Sequence, residues 1–71
     1  MTVQLGEKIR ELRKKRGISQ EVLAQYLGVT FQAVSKWETG TADPSTSNLL
    51  ALAKLFGVSA EELLRSVEKA R

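Results

Sequence analysis

The chain contains no cysteine and no histidine. This excludes disulfide bonds and the usual ligand sets of structural zinc sites. It also removes histidine, the commonest general base of enzymes, and cysteine, a common nucleophile. No glycine-rich phosphate loop is present, and the carboxylates are expected at helix ends or on solvated faces. The sequence therefore predicts a protein that is not an enzyme and that binds neither a metal nor a cofactor.

Long apolar runs are missing as well. The longest extends from Leu49 to Ala53 and ends at Lys54, whereas a bilayer-spanning helix needs about 20 residues. We therefore expect a soluble protein without a membrane partner. A chain of 71 residues has room for one compact domain, residues 1–71. The missing cysteines fit a reducing compartment and so predict a cytoplasmic location, although a secreted protein without disulfides would have the same composition.

Positive charge is concentrated at one end of the chain. The formal net charge is +3, and the first 16 residues carry six bases and two acids. Such a cluster is typical of nucleic-acid-binding proteins. However, Lys14, Lys15 and Arg16 also lie where a helix is expected to end, and cations there stabilise the helix dipole. For each of these three side chains we prefer the structural interpretation.

A short pattern marks the expected helix ends: glycine, a β-branched apolar residue and a hydroxyl residue. It occurs three times, as Gly17-Ile18-Ser19, Gly28-Val29-Thr30 and Gly57-Val58-Ser59. The glycine can adopt the positive φ that ends a helix, and the hydroxyl can cap the start of the next. Gly40, Pro44 and Ser45 predict a fourth stop and start. The result is an all-α fold with helices near residues 2–16, 19–27, 30–39, 45–56 and 59–70.

The segment from Gln20 to Thr39 fits two helices that cross at a steep angle. Ala24 is small enough to let the backbones approach, and Gly28 makes the turn. The apolar residues expected between the two helices are Leu23, Leu27, Val29, Val34 and Trp37. A generic helical hairpin would explain these apolar residues but not the joint placement of Ala24, Gly28 and Val34. A helix-turn-helix motif is therefore favoured.

Several stretches resemble the DNA-binding domain of the lambda-repressor-like (Xre or Cro/C1-type) regulators of bacteria and phages. They are I-R-E-L-R-K-K-R-G-I-S-Q, L-A-Q-Y-L-G-V-T, V-S-K-W-E-T-G, L-L-A-L-A-K-L-F-G-V-S and E-E-L-L, which together span nearly the whole chain. The resemblance implies a five-helix bundle that binds double-stranded DNA, with residues 30–38 in the major groove. It also implies a homodimer on a pseudo-palindromic operator.

The resemblance places seven residues at the DNA: Gln20, Thr30, Phe31, Gln32, Ser35, Lys36 and Thr39. Gln20 would bind a phosphate at the start of the second helix, the alternative being a glutamine that merely begins a helix. The other six DNA-contact residues belong to the third helix. They are expected to face outward because Val34 and Trp37 face inward and successive residues lie about 100° apart.

The chemistry of the outward residues suggests their partners. Gln32 can form two hydrogen bonds with adenine, and Lys36 can donate to guanine or to a phosphate. Thr30 and Ser35 suit a phosphate or a water-bridged contact. Phe31 departs from the polar residue common at this family position, and it either covers a thymine methyl group or packs on the domain surface.

Arg13 and Glu38 match a family pair that joins the first helix to the end of the third by a salt bridge. This pair would be a structural anchor rather than a DNA contact, and an exposed, unpaired Arg13 is the alternative. The loop from Gly40 to Asp43 contacts phosphate in relatives, but here it contains an acid and no base. Phosphate contacts from this loop are therefore the least supported.

Two functions remain open from the sequence. One is a repressor-like regulator of transcription, and the other is an antitoxin-type protein that masks a partner protein and regulates its own gene. A large exposed apolar patch would favour the second. The only candidate patch lies in the tail, around Leu64 and Val67, whereas Leu63 is expected in the core. We expect Leu64 and Val67 to form a homodimer interface, the alternative being that they cap the bundle of a monomer.

Overall fold

Helices account for all the regular structure between residues 3 and 63, the part of the chain that the computed structural model describes. They are α1 (Val3–Lys15), α2 (Gln20–Leu27), α3 (Phe31–Thr39) and α4 (Thr46–Phe56). A fifth helix, α5, begins at Ala60 and is described as far as Leu63. The all-α, five-helix prediction is therefore confirmed, and the remainder of the predicted fifth helix, with Leu64 and Val67, lies outside the described residues.

The hydroxyl residues predicted to start helices cap them. The Oγ atoms of Ser19 and Ser45 each accept one hydrogen bond from the backbone N–H of the residue three positions later, at 3.1 and 3.2 Å. Thr30 and Ser59 do the same, at 3.2 and 3.0 Å. Each cap precedes its helix, and those of α2, α3 and α4 are extended rather than helical. The four predicted starts were therefore one residue too early.

The glycines that follow the helices have left-handed backbone, as the pattern required. Gly28 and Gly40, after α2 and α3, have φ of 70° and 79°. In this conformation the amide of each glycine turns back toward the last helical carbonyls, which would otherwise lack partners. The joint at Gly28 fixes the direction in which α3 leaves α2, and the joint at Gly40 fixes the direction of the chain after α3.

The core is formed by apolar side chains from all five helices. Its buried members are Leu5, Ile9, Leu12, Leu23, Ala24, Val34, Trp37, Leu52, Ala53, Phe56 and Leu63. Trp37 is only 4% exposed, and Leu63 is fully buried, as expected. Leu27, Val29 and Leu49 are partly buried against this cluster. Burial of α3 along Val34 and Trp37 leaves its opposite side free, and that side is the candidate site.

Gly6 permits an unusually close contact between α1 and the end of α3. A Cβ atom at this position would lie 2.7 Å from the Glu38 carbonyl oxygen and 2.9 Å from its carbon, and it would overlap the Trp37 carbonyl oxygen. These neighbours are backbone atoms, which cannot rotate away. The absent side chain therefore lets α3 pack directly on α1, a feature that the sequence patterns did not reveal.

Exposed apolar side chains occur outside the tail. Tyr26 is 66% exposed on α2 and Leu50 is 55% exposed on α4, and Val22 and Phe31 are also exposed. The sequence indicated a candidate apolar patch only in the tail, and the exposure of Tyr26, Leu50 and Val22 was not predicted, because helix periodicity does not show which apolar residues the partner helices leave uncovered. None of the helices between residues 3 and 63 has the length and apolar character needed to cross a membrane.

Candidate nucleic-acid interface

The outer face of α3 is formed by side chains of different chemistry, and the opposite face of the helix is packed against the core. Val34 and Trp37 are buried, whereas Phe31, Gln32 and Lys36 are exposed. Ser35 is half-buried beside them. This arrangement follows from helical spacing, since residues on the same face recur every three or four positions. The structure thus brings together the aromatic ring, the amide, the hydroxyl and the ammonium group that the sequence assigned to one surface.

Thr30 and Thr39 lie at the two ends of this face, and both hydroxyls also have local roles. The Thr30 Oγ1 atom accepts a hydrogen bond from the Ala33 amide, so it caps α3. The Thr39 Oγ1 atom donates to the Ser35 carbonyl oxygen at 3.1 Å and lies 3.0 Å from the Thr41 Oγ1 atom. Both threonines remain exposed. Thr30 keeps its hydroxyl hydrogen for a further acceptor, whereas Thr39 uses its own within the helix.

Arg13 and Glu38 form the ion pair that the sequence predicted. The Arg13 Nε atom lies 2.7 Å from one Glu38 carboxylate oxygen, and its Nη2 atom lies 3.1 Å from the other. The Glu38 side chain is 4% exposed and that of Arg13 is 12% exposed. Two parallel hydrogen bonds of this kind fix orientation as well as distance. Arg13 Nη1 also donates to the Ile18 carbonyl oxygen at 2.9 Å, so the same side chain holds the turn before α2.

Gln20 joins this network, which sequence reasoning did not anticipate. Its Nε2 atom donates to the Glu38 Oε1 atom at 3.1 Å. The first residue of α2 is therefore tied to the last turn of α3, and both are tied to α1 through Arg13. Nothing in the local sequence signals the contact, because the two residues are 18 positions apart and meet only once the helices have packed. Gln20 itself stays half-buried at the start of its helix.

The loop after α3 is held by the helix that precedes it. The amides of Thr41 and Ala42 both donate to the Lys36 carbonyl oxygen, at 2.9 and 3.3 Å. These two amides are therefore occupied by the end of the helix. Neither of them is left to donate to a phosphate.

The basic cluster at the end of α1 is exposed, and one member has a clear structural neighbour. Arg16 Nη2 would lie 3.7 Å from a Cβ atom placed on Gly57, the residue that ends α4. A cation beside the carbonyl end of a helix is electrostatically favourable. Arg16 therefore lies beside the end of α4, whereas Lys14 and Lys15 lie in the last turn of α1, where the sequence predicted a stabilising role. Among residues 3–63, no acidic residues cluster in a way that would hold a metal ion.

Comparison of the sequence with known proteins identifies relatives of this chain. A family model described as helix-turn-helix matches residues 9–63. The HTH-type transcriptional activator BcrR of Enterococcus faecalis is 38% identical over 66 residues, which cover 93% of this chain and 32% of that protein. Repressor protein C2 of Salmonella phage P22 is 43% identical over 61 residues, which cover 86% of this chain and 28% of that protein.

Structural comparison agrees with the sequence comparison. The crystal structure of the P22 c2 repressor in complex with synthetic operator 9T has a TM-score of 0.81 and 42% sequence identity with this chain. The superposition covers 87% of this chain and 94% of the repressor chain in that crystal. This chain therefore belongs to the helix-turn-helix family. Within that family it is a lambda-repressor-like domain, and it spans about a third of the length of the two relatives named above.

Proposed function

We propose that the chain binds double-stranded DNA sequence-specifically, with α3 in the major groove, and regulates transcription. The observation that carries this proposal is the outer face of α3, where Gln32 and Lys36 project from a helix whose other side is buried. A helix with such a face fits the width of the major groove, where each base pair presents a distinct set of donors and acceptors. DNA binding by this fold is supported by the P22 c2 repressor, which was crystallised in complex with a synthetic operator.

Base contacts are assigned to three residues of α3. Gln32 donates to N7 and accepts from N6 of an adenine, and Lys36 donates to guanine O6 and N7 or to a phosphate. Phe31 is 46% exposed, which favours contact with a thymine methyl group over packing on the domain surface. Three neighbouring residues with different chemistry specify a short series of base pairs.

Contacts to the DNA backbone, either direct or through a bridging water, are assigned to Gln20, Thr30, Ser35 and Thr39. The first two lie at helix starts, where backbone amides and the helix dipole favour an anion. Ser35 is half-buried next to Lys36, so its hydroxyl suits a phosphate or a bridging water. The contact from Thr39 requires its hydroxyl to accept rather than donate, because its hydrogen is used within α3. A phosphate oxygen cannot donate, so Thr39 contacts DNA only through water.

Assembly and context complete the proposal. Residues 1–71 act as one domain that binds a pseudo-palindromic operator as a homodimer, with Leu64 and Val67 at the interface. A repressor-like action fits the relationship to the P22 protein, and a cytoplasmic location fits relatives from bacteria and phages. We do not adopt the antitoxin-type alternative or propose an enzymatic activity, because the relatives named above are regulators of transcription.

Selection of duplexes from a random pool tests this proposal directly. We expect enrichment of one two-fold symmetric sequence, whose affinity falls steeply with salt. Gln32→Ala should reduce the preference at one base pair by about 1–3 kcal/mol, whereas Gln20→Ala should weaken binding to all sequences alike. Gln25→Ala, which removes an exposed glutamine of α2, is the matched control and should change neither. Failure to enrich any sequence above a salt-sensitive background would contradict the proposal.

A further inference from the structure

We propose that Glu38 is a positioning residue for the DNA phosphate contact, in addition to its role as the ion-pair partner of Arg13. The inference rests on the proposed function, since it concerns how Gln20 is presented to a phosphate. Glu38 lies on the last turn of α3 with its side chain 4% exposed, so it is not itself a DNA contact. It acts through Gln20, to which it is hydrogen bonded.

The carboxylate of Glu38 serves two donors from different helices. Its Oε1 atom accepts from Arg13 Nη2 at 3.1 Å and from Gln20 Nε2 at 3.1 Å, and its Oε2 atom accepts from Arg13 Nε at 2.7 Å. A carboxylate accepts but does not donate, so the nitrogen of the Gln20 amide must face it and the oxygen must point elsewhere. The ion pair with Arg13 keeps the carboxylate in place.

The geometry of a primary amide then determines what Gln20 can offer to DNA. Its nitrogen carries two hydrogens in the plane of the group, and Glu38 uses one of them. The second hydrogen therefore has a fixed direction and is the donor that remains for a phosphate oxygen. A glutamine without this constraint would lose side-chain freedom on binding, whereas here that freedom is already lost in the free protein.

The same carboxylate therefore links two parts of the interface. Glu38 belongs to α3, which presents Gln32 and Lys36, and it orients Gln20 at the start of α2. A phosphate bound by Gln20 and a base bound by α3 are thus placed relative to one another through one side chain. Loss of this link should weaken the phosphate contact while leaving the base contacts formed by α3 unchanged.

Duplexes with single methylphosphonate substitutions, which replace one charged phosphate by a neutral group, test this role. The probe is a duplex enriched by wild-type protein from the random pool, with the substitution moved along each strand. In wild type we expect one position in each half-site where the substitution lowers affinity about tenfold and where Gln20→Met abolishes that sensitivity. Glu38→Gln should abolish it at the same position, because its amide oxygen is expected to face Arg13 Nε, the shortest contact, so its amide nitrogen, which donates, faces Gln20 Nε2. The base preference should stay as in wild type.

Glu21→Gln is the matched control, since it removes the same charge from an exposed position in the first turn of α2. It should keep the methylphosphonate sensitivity of wild type. If Glu38→Gln does not fold, Gln20→Asn replaces it, because the shorter amide cannot reach Glu38 and a phosphate together and should behave like Gln20→Met. Full sensitivity in a folded Glu38→Gln protein, or in Gln20→Asn, would overturn the positioning role. So would a wild-type profile with no position that depends on Gln20.

The two proposals fail in different ways. A wild-type protein that enriches no sequence contradicts the proposed function itself. A protein that enriches an operator, but whose phosphate sensitivity is indifferent to Glu38→Gln, contradicts only the positioning role.

Discussion

Replacement of Gly6 by alanine is the sharpest test of how the bundle packs. Intrinsic helix propensity alone predicts that alanine in α1 stabilises the protein by about 0.8–1 kcal/mol. The structure predicts the opposite sign. The added Cβ atom would lie 2.7 Å from the Glu38 carbonyl oxygen and closer still to the Trp37 carbonyl oxygen, so the end of α3 must retreat by more than about 0.7 Å to restore an ordinary contact.

The size of the expected loss in the free energy of unfolding depends on which atoms the added Cβ atom would contact. Overpacking a close contact costs about 1–3 kcal/mol, and rigid backbone neighbours place this case near the upper end. Subtraction of the gain in propensity leaves a net loss of about 2 kcal/mol in the free energy of unfolding. A domain of this size has only a few kcal/mol of stability in total. The variant should therefore unfold at a clearly lower urea concentration.

Urea unfolding followed by circular dichroism measures this loss. The matched control is the neighbouring exposed position, at which Glu7→Ala and Glu7→Gly are compared. There alanine should be the more stable of the two by about 0.8–1 kcal/mol, because nothing but propensity distinguishes them. If Gly6→Ala is as stable as wild type or more stable, the close approach of α1 and α3 is wrong. The orientation of α3 derived from it would then be wrong as well.

Three further outcomes are expected. Trp37→Ala should cost about 3–5 kcal/mol and unfold the domain, and the wild-type Trp37 fluorescence should be that of a buried indole, not one in water. Replacement of the contacted thymine by deoxyuridine should weaken wild-type binding about fourfold, from the loss of one buried methyl group, but should not affect Phe31→Ala. Equal wild-type affinity for both duplexes would exclude the methyl contact. Leu64→Glu should abolish the dimerisation that sedimentation at high concentration measures for the wild type. A wild type that stays monomeric would contradict the predicted dimer interface.

Local chemistry explains why the helix ends were predictable from sequence. A glycine followed two residues later by serine or threonine ends one helix and caps the next through contacts within five residues, so no knowledge of the fold is required. Thr30 illustrates both the success and the error. Its hydroxyl caps α3 as predicted, but its own backbone is extended, so the helix begins one residue later. The outward direction of Gln32 and Lys36 followed from helical spacing for the same local reason.

Contacts between distant residues were predictable only where a family resemblance supplied them. The Arg13–Glu38 pair came from the resemblance, and the structure contains it. The Gln20–Glu38 bond and the need for glycine at position 6 have no local pattern, since both depend on the angle and distance at which helices cross. An isolated glycine inside an otherwise helical segment is a weak signal of close packing, and Gly6 is such a glycine within α1.

The joints between helices also constrain how the length of this chain can change during evolution. Only four residues separate α1 from α2 and three separate α2 from α3, and the glycine and the capping hydroxyl occupy fixed places in each joint. One inserted residue would displace the cap from its helix or rotate the next helix by about 100°, which would move Val34 to the half-buried place of Ser35 and bring the charged Lys36 to the buried place of Trp37. Natural insertions and deletions should therefore be rare at these joints and should concentrate in the longer connection between α3 and α4.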